Sequence, residues 1–459
     1  MDAQFDRRDF LKSGVLTTAG AALGGMSLLG CRNFSGRSRQ AALLPYSTTA
    51  KEVIKVGFVG IGNMGSGHVS SLLKIEGCQI AAVCDIRPER TDWAKRKIVE
   101  AGFPAPAVYS QSETDFIRMC RQEELDLVFN AAPWRWHTPI CLAAMENGKH
   151  ACSEVNIALT IEDCWKLVEA SEQYKKYCIM MENCCYDRIE MAVLNMVQKG
   201  LFGQILHGEC GYLHDLRALN LSPTYYQGMW RVYHYIDMDG NLYPTHGIGP
   251  MAWCMDINRG DTLDYLVCFS SPSVGLQEYA KAHYPDSRWA RQEFANGDVA
   301  TCLIKTKLGK TIICKHDTSL PRPYSRDFLV QGSKGLIQKY PQPVIHIEGR
   351  SPEHAWESFD GYLQEYEHPV WLNLRKKTEN APDSGLGHGG MDYIEDYRLI
   401  QALRQGIAPD IDVYDSVLWS AIIPLSRQSL AKGSAPVAFP DFTGGAWKQK
   451  RPLGVDRIL

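Results

Sequence analysis

Along this chain the spacing of apolar residues changes period, and each change marks a different kind of element. A short β-branched run, Lys55 to Val59, ends in Gly60-Ile61-Gly62-Asn63-Met64-Gly65 and reads as strand, tight turn and helix start. Gln79 to Cys84 is a second strand, and Pro88 opens a helix to about Ala101. Asp126 to Ala131 is a buried strand followed by a helix to Asn147, and His150 to Ser153 is another strand. A helix from Ile161 to Lys176 and a strand from Cys178 to Met181 lead to Glu182-Asn183. Strands and helices alternating in this way predict α/β architecture with a doubly wound parallel sheet.

After about residue 186 the period shifts. Asp187 to Lys199 is helical, and short β runs follow at Ile205–Tyr212, Leu263–Phe269, Val299–Lys305, Thr311–His316 and Phe328–Val330. Asn296-Gly297 and Lys307 to Lys310 read as hairpin turns, which makes this an α+β domain with a largely antiparallel, open sheet. Its free face suits a substrate or a second copy of the chain. The stretch from Tyr340 to Gly390 reads as ordered loop, and helices at Met391–Gln405 and Asp415–Ala431 close the chain. The expected organisation is a signal over residues 1–31, a linker over 32–50, a dinucleotide domain over 51–185 and a substrate domain over 186–459.

The glycine run carries the first chemistry. Gly60 permits the turn, Gly62 lets backbone N–H groups approach a pyrophosphate, and Gly65 lets the helix pack on the strand with its positive end at the anion. Asp85, at the end of the second strand and about 20 residues further on, is placed to bind a ribose diol. Together they predict a Rossmann domain holding NAD, since a 2′-phosphate would be repelled by Asp85. Ligands of such sheets lie at the carboxyl ends of strands. The segments Pro133-Trp134-Arg135-Trp136-His137, Glu154-Val155-Asn156 and Glu182-Asn183 should therefore face one crevice.

The N-terminus adds a location. Arg7-Arg8 ahead of a mild apolar run from Gly14 to Leu29 reads as a twin-arginine export signal, too short for a comfortable membrane span. Leu28-Leu29-Gly30-Cys31 resembles a lipobox, with Cys31 the lipidated residue anchoring the protein at the periplasmic face of a membrane. Without lipidation the product would be soluble in the periplasm. Export of a folded protein suits one that carries its cofactor along. It disfavours a simple dehydrogenase, which would stall where free NAD is scarce.

Composition narrows the partners. A formal net charge of -3 argues against nucleic acid. The 15 cysteines include no C-x-x-C pair and none beyond Cys314, so neither a metal site nor a disulfide framework is indicated. Many, such as Cys141, Cys254 and Cys302, sit in apolar runs, as buried thiols do.

Between the first two strands of the second domain lies an aromatic and polar cluster, Tyr225-Tyr226-Gln227-Gly228-Met229-Trp230-Arg231, followed by Asp239-Gly240-Asn241-Leu242-Tyr243-Pro244-Thr245-His246-Gly247. Aromatic faces suit sugar rings. A long connection without strand or helix period points to function.

These motifs, with Trp134-x-Trp136-His137, Glu154-Val155 and Asn183, resemble glycoside hydrolase family 109, a branch of the Gfo/Idh/MocA oxidoreductase-like superfamily. The resemblance runs from about residue 45 to 459 and is most specific at Tyr243 to His246. It implies an NAD-dependent α-N-acetylgalactosaminidase acting on a small glycoside or glycan terminus. It would assign Asn63, Met64, Asp85, Trp134, Arg135, Trp136, His137, Glu154, Val155 and Asn183 to NAD. The sugar would fall to Tyr212, Arg231, Tyr243, Pro244, Thr245, His246 and Tyr324. The implied mechanism is oxidation at C3, loss of the C2 proton, departure of the C1 substituent, addition of water, and reversal of the first two steps. Tyr243 and His246 are the candidates for proton transfer.

Two departures from the pattern stand out. Arg135 replaces the acid usual between the tryptophans, and Asn156 replaces proline. The superfamily's lysine is also absent, Val155 standing in its place, which disfavours plain sugar dehydrogenation. A periplasmic oxidoreductase of the same superfamily with tightly held NAD(P), or a sugar-binding lipoprotein with structural NAD, is the alternative.

Overall fold

The computed structural model describes Tyr46 and residues 48–377 and 387–456. The export signal, Cys31 and nearly all of the linker lie outside the described residues.

Six parallel strands form the first sheet: β1 (Ile54–Val59), β2 (Cys78–Cys84), β3 (Ala107–Tyr109), β4 (Leu127–Asn130), β5 (His150–Glu154) and β6 (Cys178–Met181). Their order is β3-β2-β1-β4-β5-β6. Helices cover both faces, so β4 and β6 are buried at every position and read as unbroken apolar runs. The order reverses between β1 and β4, which opens a crevice at the carboxyl edge there. β3 and the helix Asp115–Gln122 have no counterpart in the expected elements, since three residues are too few to show a period.

The second sheet has nine strands: β7 (Ile205–Leu213), β8 (Leu263–Ser270), β9 (Val299–Thr306), β10 (Thr311–Asp317), β11 (Leu329–Gly332), β12 (Gly335–Gln338), β13 (Val344–Ile347), β14 (Glu357–Ser358) and β15 (Val437–Ala438). They lie in the order β14-β13-β12-β11-β7-β10-β9-β8-β15. All pairs are antiparallel except β7 with β10, which is parallel. On β8, Leu266 and Cys268 face the core while Tyr265, Val267 and Phe269 alternate to the open side, where Leu303 and Ile313 stand in register with Val267.

Four expectations need correcting. Lys307–Lys310 does join β9 to β10, but Asn296-Gly297 is no hairpin turn: β8 and β9 pair across an excursion over residues 271–298 that carries the helix Gly275–His283. Gly297 is small because a Cβ there would sit 2.1 Å from Ser270 Oγ, and Asn296 donates to the Gly240 carbonyl at 3.1 Å. Close approach to the site loop, not a turn, accounts for the pair.

The connection after β7 contains the helices Trp230–Asp237 and Thr245–Cys254. The second is buried along nearly its whole length, so it shows no amphipathic period. Residues 340–390 hold β13, β14 and helices Asp360–Tyr366 and Pro369–Lys377, each too short to stand out among Pro, His and Gly. The last helix is two, Val413–Ser420 and Ile422–Ala431; Pro424 lacks the N–H that would donate back into the first.

Candidate active site

The glycine turn has the shape a dinucleotide needs. Gly60 has φ +83°, and a Cβ on it would meet the Ala132 nitrogen at 2.5 Å. A Cβ on Gly65 would lie 2.0 Å from the Gly60 carbonyl oxygen, whereas one on Gly62 would meet nothing within 4 Å. The first and last glycines are thus demanded by packing, and the middle one leaves open space at the start of the helix Asn63–Leu72. Asp85 is buried at the end of β2, where Oδ2 accepts from the Ile61 N–H at 2.7 Å and Oδ1 from the Arg87 N–H at 2.9 Å. These residues fit NAD: Asp85 just after β2 would hold the ribose and the β1 turn the pyrophosphate, with the carboxyl ends of β4, β5 and β6 left for the nicotinamide half.

At the helix start, the Asn63 side chain donates to the Tyr225 carbonyl at 2.7 Å, tying the turn to the aromatic segment of the second domain. Met64 is exposed beside it.

The Trp134–His137 segment divides by role. Trp134 is buried and stacks on Tyr243 with centroids 5.8 Å apart, while Trp230 approaches it edge-on at 5.3 Å. Arg135 points to the rim and pairs with Glu113 at 2.8 Å, so the reversed charge is neutralised locally. Trp136 packs against Phe116. His137 is enclosed, its Nδ1 2.6 Å from the Asn156 carbonyl oxygen and its Nε2 2.6 Å from that of Ala132. Both ring nitrogens face backbone carbonyls, which holds the ring between the Ala132 turn and the Asn156 loop.

Asn156 is fully buried and donates to the Leu242 carbonyl at 3.1 Å. It joins the Glu154-Val155-Asn156 loop to the Tyr243–His246 motif. Glu154 Oε1 lies 2.7 Å from His68 Nε2, and Asn183 Nδ2 donates to Asp392 Oδ1 at 2.7 Å.

The substrate half is an aromatic cage around a buried guanidinium. Arg231 lies 4.7 Å from the Tyr243 ring centroid, 5.0 Å from Trp134 and 5.4 Å from Tyr226. Its Nη1 donates to Tyr226 Oη at 3.0 Å, but Nε and Nη2 are buried with no partner among the described residues. Thr245 Oγ1 is likewise buried and unpartnered. Buried donors of this kind call for an acceptor from a ligand.

Tyr212 stands 4.6 Å from Tyr243, 5.4 Å from His246 and 6.2 Å from Tyr324, centroid to centroid. Tyr324 is partly exposed, and its hydroxyl accepts from Arg326 at 3.1 Å. Burial pushes the Tyr243 and Tyr212 hydroxyls well above the usual phenol range despite the Arg231 charge, which makes both donors at neutral pH. Pro244 precedes the helix that begins at Thr245, so the motif's last residues open that helix. His246 Nδ1 is 2.6 Å from Glu182 Oε1, and the carboxylate is completely enclosed.

Several residues of the site escaped the sequence reading. Glu182 is expected at the crevice beside Asn183, but nothing in its spacing points to the pairing with His246. His68 and Asp396 sit on helices where their spacing is unremarked, and His388, half exposed and 2.8 Å from Asp392, lies in a Gly-His-Gly-Gly run within the presumed loop. Only the glycines around His388 signalled it.

Residues 54–182 match the oxidoreductase family's NAD-binding Rossmann fold, and residues 186–449 match the glycosyl hydrolase 109 C-terminal domain. The chain belongs to glycoside hydrolase family 109. An α-N-acetylgalactosaminidase from Shewanella oneidensis is 41% identical over 459 residues, 98% of each chain. A family 109 protein from Saccharopolyspora erythraea is 42% identical over 455 residues, 98% of this chain and 97% of that one. Among solved structures, levoglucosan dehydrogenase in complex with NADH superposes with a TM-score of 0.65 at 20% identity, covering 84% of this chain and 99% of the other. Scyllo-inositol dehydrogenase from Lactobacillus casei with bound NAD(H) gives 0.59 at 16% identity, covering 84% and 99%. As a family 109 member the chain is a glycosyl hydrolase with an NAD-binding domain, and the dehydrogenases share its fold.

Proposed function

We propose that this protein is an exported glycosidase that releases terminal α-linked N-acetylgalactosamine from glycoconjugates, with its NAD restored in every turnover. What carries the reading is one juxtaposition: the Arg231 cage and the Glu182–His246 pair meet at the nicotinamide end of the dinucleotide sheet. The Shewanella oneidensis relative named for that activity supports the substrate class.

NAD, when bound, supplies a reversible hydride acceptor for the C3 carbinol of the sugar. Arg231 would offer its two unpartnered N–H groups to sugar oxygens and hold a developing negative charge at O3. Tyr243, kept protonated by burial, would donate a hydrogen bond to the same polar face. His246 would take the C2 proton, since Glu182 fixes its Nδ1 as the protonated nitrogen and stabilises the imidazolium that results. Elimination also needs an acid at the departing oxygen. His388, backed by Asp392 at the same crevice, is suited to that task.

Export rests on Arg7-Arg8 and anchoring on Cys31, in the manner of a twin-arginine lipoprotein. The apolar open face of the second sheet, with Tyr265, Phe269 and Leu303 exposed, would be covered by a second copy of the chain. Size-exclusion chromatography with light scattering should then give at least a dimer; a monomer removes that part.

The deciding assay is release of chromophore from p-nitrophenyl α-N-acetylgalactosaminide by purified protein without added NAD. Release supports the reading. Protein that carries NAD yet leaves the substrate intact overturns it.

A further inference from the structure

His68 is buried in the helix that follows the glycine turn, and it bridges two carboxylates from opposite sides. Nδ1 lies 2.9 Å from Asp396 Oδ1, and Nε2 lies 2.7 Å from Glu154 Oε1. Asp396 is fully enclosed on the helix Met391–Gln405, while Glu154 reaches the crevice from the carboxyl end of β5. Both ring nitrogens face acceptors, so the imidazole can satisfy both only as a double donor.

Burial alone would push His68 down, but Asp396 and Glu154 override it and hold it well above the usual imidazole range. Nearby, burial pushes the Glu395 carboxyl well above the usual carboxylate range and pushes Asp396 up against the pull of His68, and Asp392 is paired with His388. The proposed reaction makes no use of His68 or Asp396. Through His68 they nevertheless reach Glu154 at the carboxyl end of β5.

We propose that His68 and Asp396 are positioning residues that would set the balance between oxidised and reduced bound dinucleotide, by holding Glu154 in place and fixing the charge at the carboxyl end of β5. The nicotinamide ring is cationic when oxidised and neutral when reduced. Negative charge beside it favours the oxidised form, and positive charge favours the reduced form. Removing His68 leaves two carboxylates without their shared cation and makes the cluster more negative, whereas neutralising Asp396 leaves the imidazolium paired with Glu154 alone and removes the excess negative charge. The two changes should act in opposite directions. This inference rests on NAD as resident cofactor but not on the glycosidase reading, because its test involves no sugar.

Wild type, His68→Gln and Asp396→Asn are each equilibrated with an equal mixture of NAD+ and NADH in excess and freed of unbound nucleotide. Bound NAD+ is then quantified after acid extraction and bound NADH after alkaline extraction. The expected result is a shift of roughly tenfold toward NAD+ in His68→Gln and a comparable shift toward NADH in Asp396→Asn, with total dinucleotide near one per chain. Unchanged ratios, or shifts in the same direction, overturn the proposal. Loss of total dinucleotide from both variants also overturns it, since the bridge would then serve binding alone.

Discussion

Glu182 Oε1 and His246 Nδ1 stand 2.6 Å apart, the carboxylate sealed from solvent and the imidazole at the edge of the crevice. The contact fixes which ring nitrogen faces the protein, and so leaves Nε2 for a reacting sugar. Glu182→Gln keeps the shape and removes the charge. Turnover should fall by roughly 10²-fold or more, with KM and NAD content little changed. Steady-state kinetics on the chromogenic glycoside, with dinucleotide measured in the same preparation, decide this; loss of NAD would assign Glu182 to the scaffold.

Arg231 has no carboxylate partner and two idle buried donors. Arg231→Lys retains a charge but loses the planar fork, and should cost on the order of 10² to 10³ in kcat/KM. NAD should remain bound. An equal loss in dinucleotide would mean that the cage supports the cofactor.

Asp85→Ala removes the acceptor of the Ile61 and Arg87 amides along with the ribose partner. NAD affinity should drop by roughly 10- to 100-fold, as loss of charge-assisted hydrogen bonds implies. Isothermal titration or extraction after dialysis measures it, and full retention would contradict the placement of the ribose.

The His68 bridge predicts a pH dependence of stability. Its folded pKa is raised, so its contribution is fully present below the unfolded imidazole value of about 6.5 and is lost as pH rises through the raised folded value. The Tm advantage of wild type over His68→Gln should therefore shrink on going alkaline, followed by thermal unfolding from about pH 6 to 10. A constant difference across that range would show that His68 stabilises through packing.

Much of this was legible in the chain itself. The parallel sheet could be read because its strands are short, mostly apolar runs alternating with helices, and the glycines because each answers a local demand of backbone or phosphate. Tyr212, Arg231, Tyr243, His246 and Trp134 do converge, with ring centroids within about 6 Å of their neighbours in the cage. The unread parts depend on distance in space. Glu182 acquires meaning only from His246, and His68 only from Asp396 and Glu154. His137 likewise gains its two carbonyl neighbours, Ala132 and Asn156, only in space. Asn296-Gly297 had turn composition but serves close packing, which no local pattern distinguishes.

Breaking of the C2–H bond distinguishes redox-assisted elimination from direct displacement at C1. Turnover of an α-N-acetylgalactosaminide in deuterated water, with the released sugar read by proton NMR, tests this most directly. The account predicts deuterium at C2 of the product and a slower reaction with substrate deuterated at C2. Product that keeps protium at C2, together with equal rates for the two substrates, would contradict it.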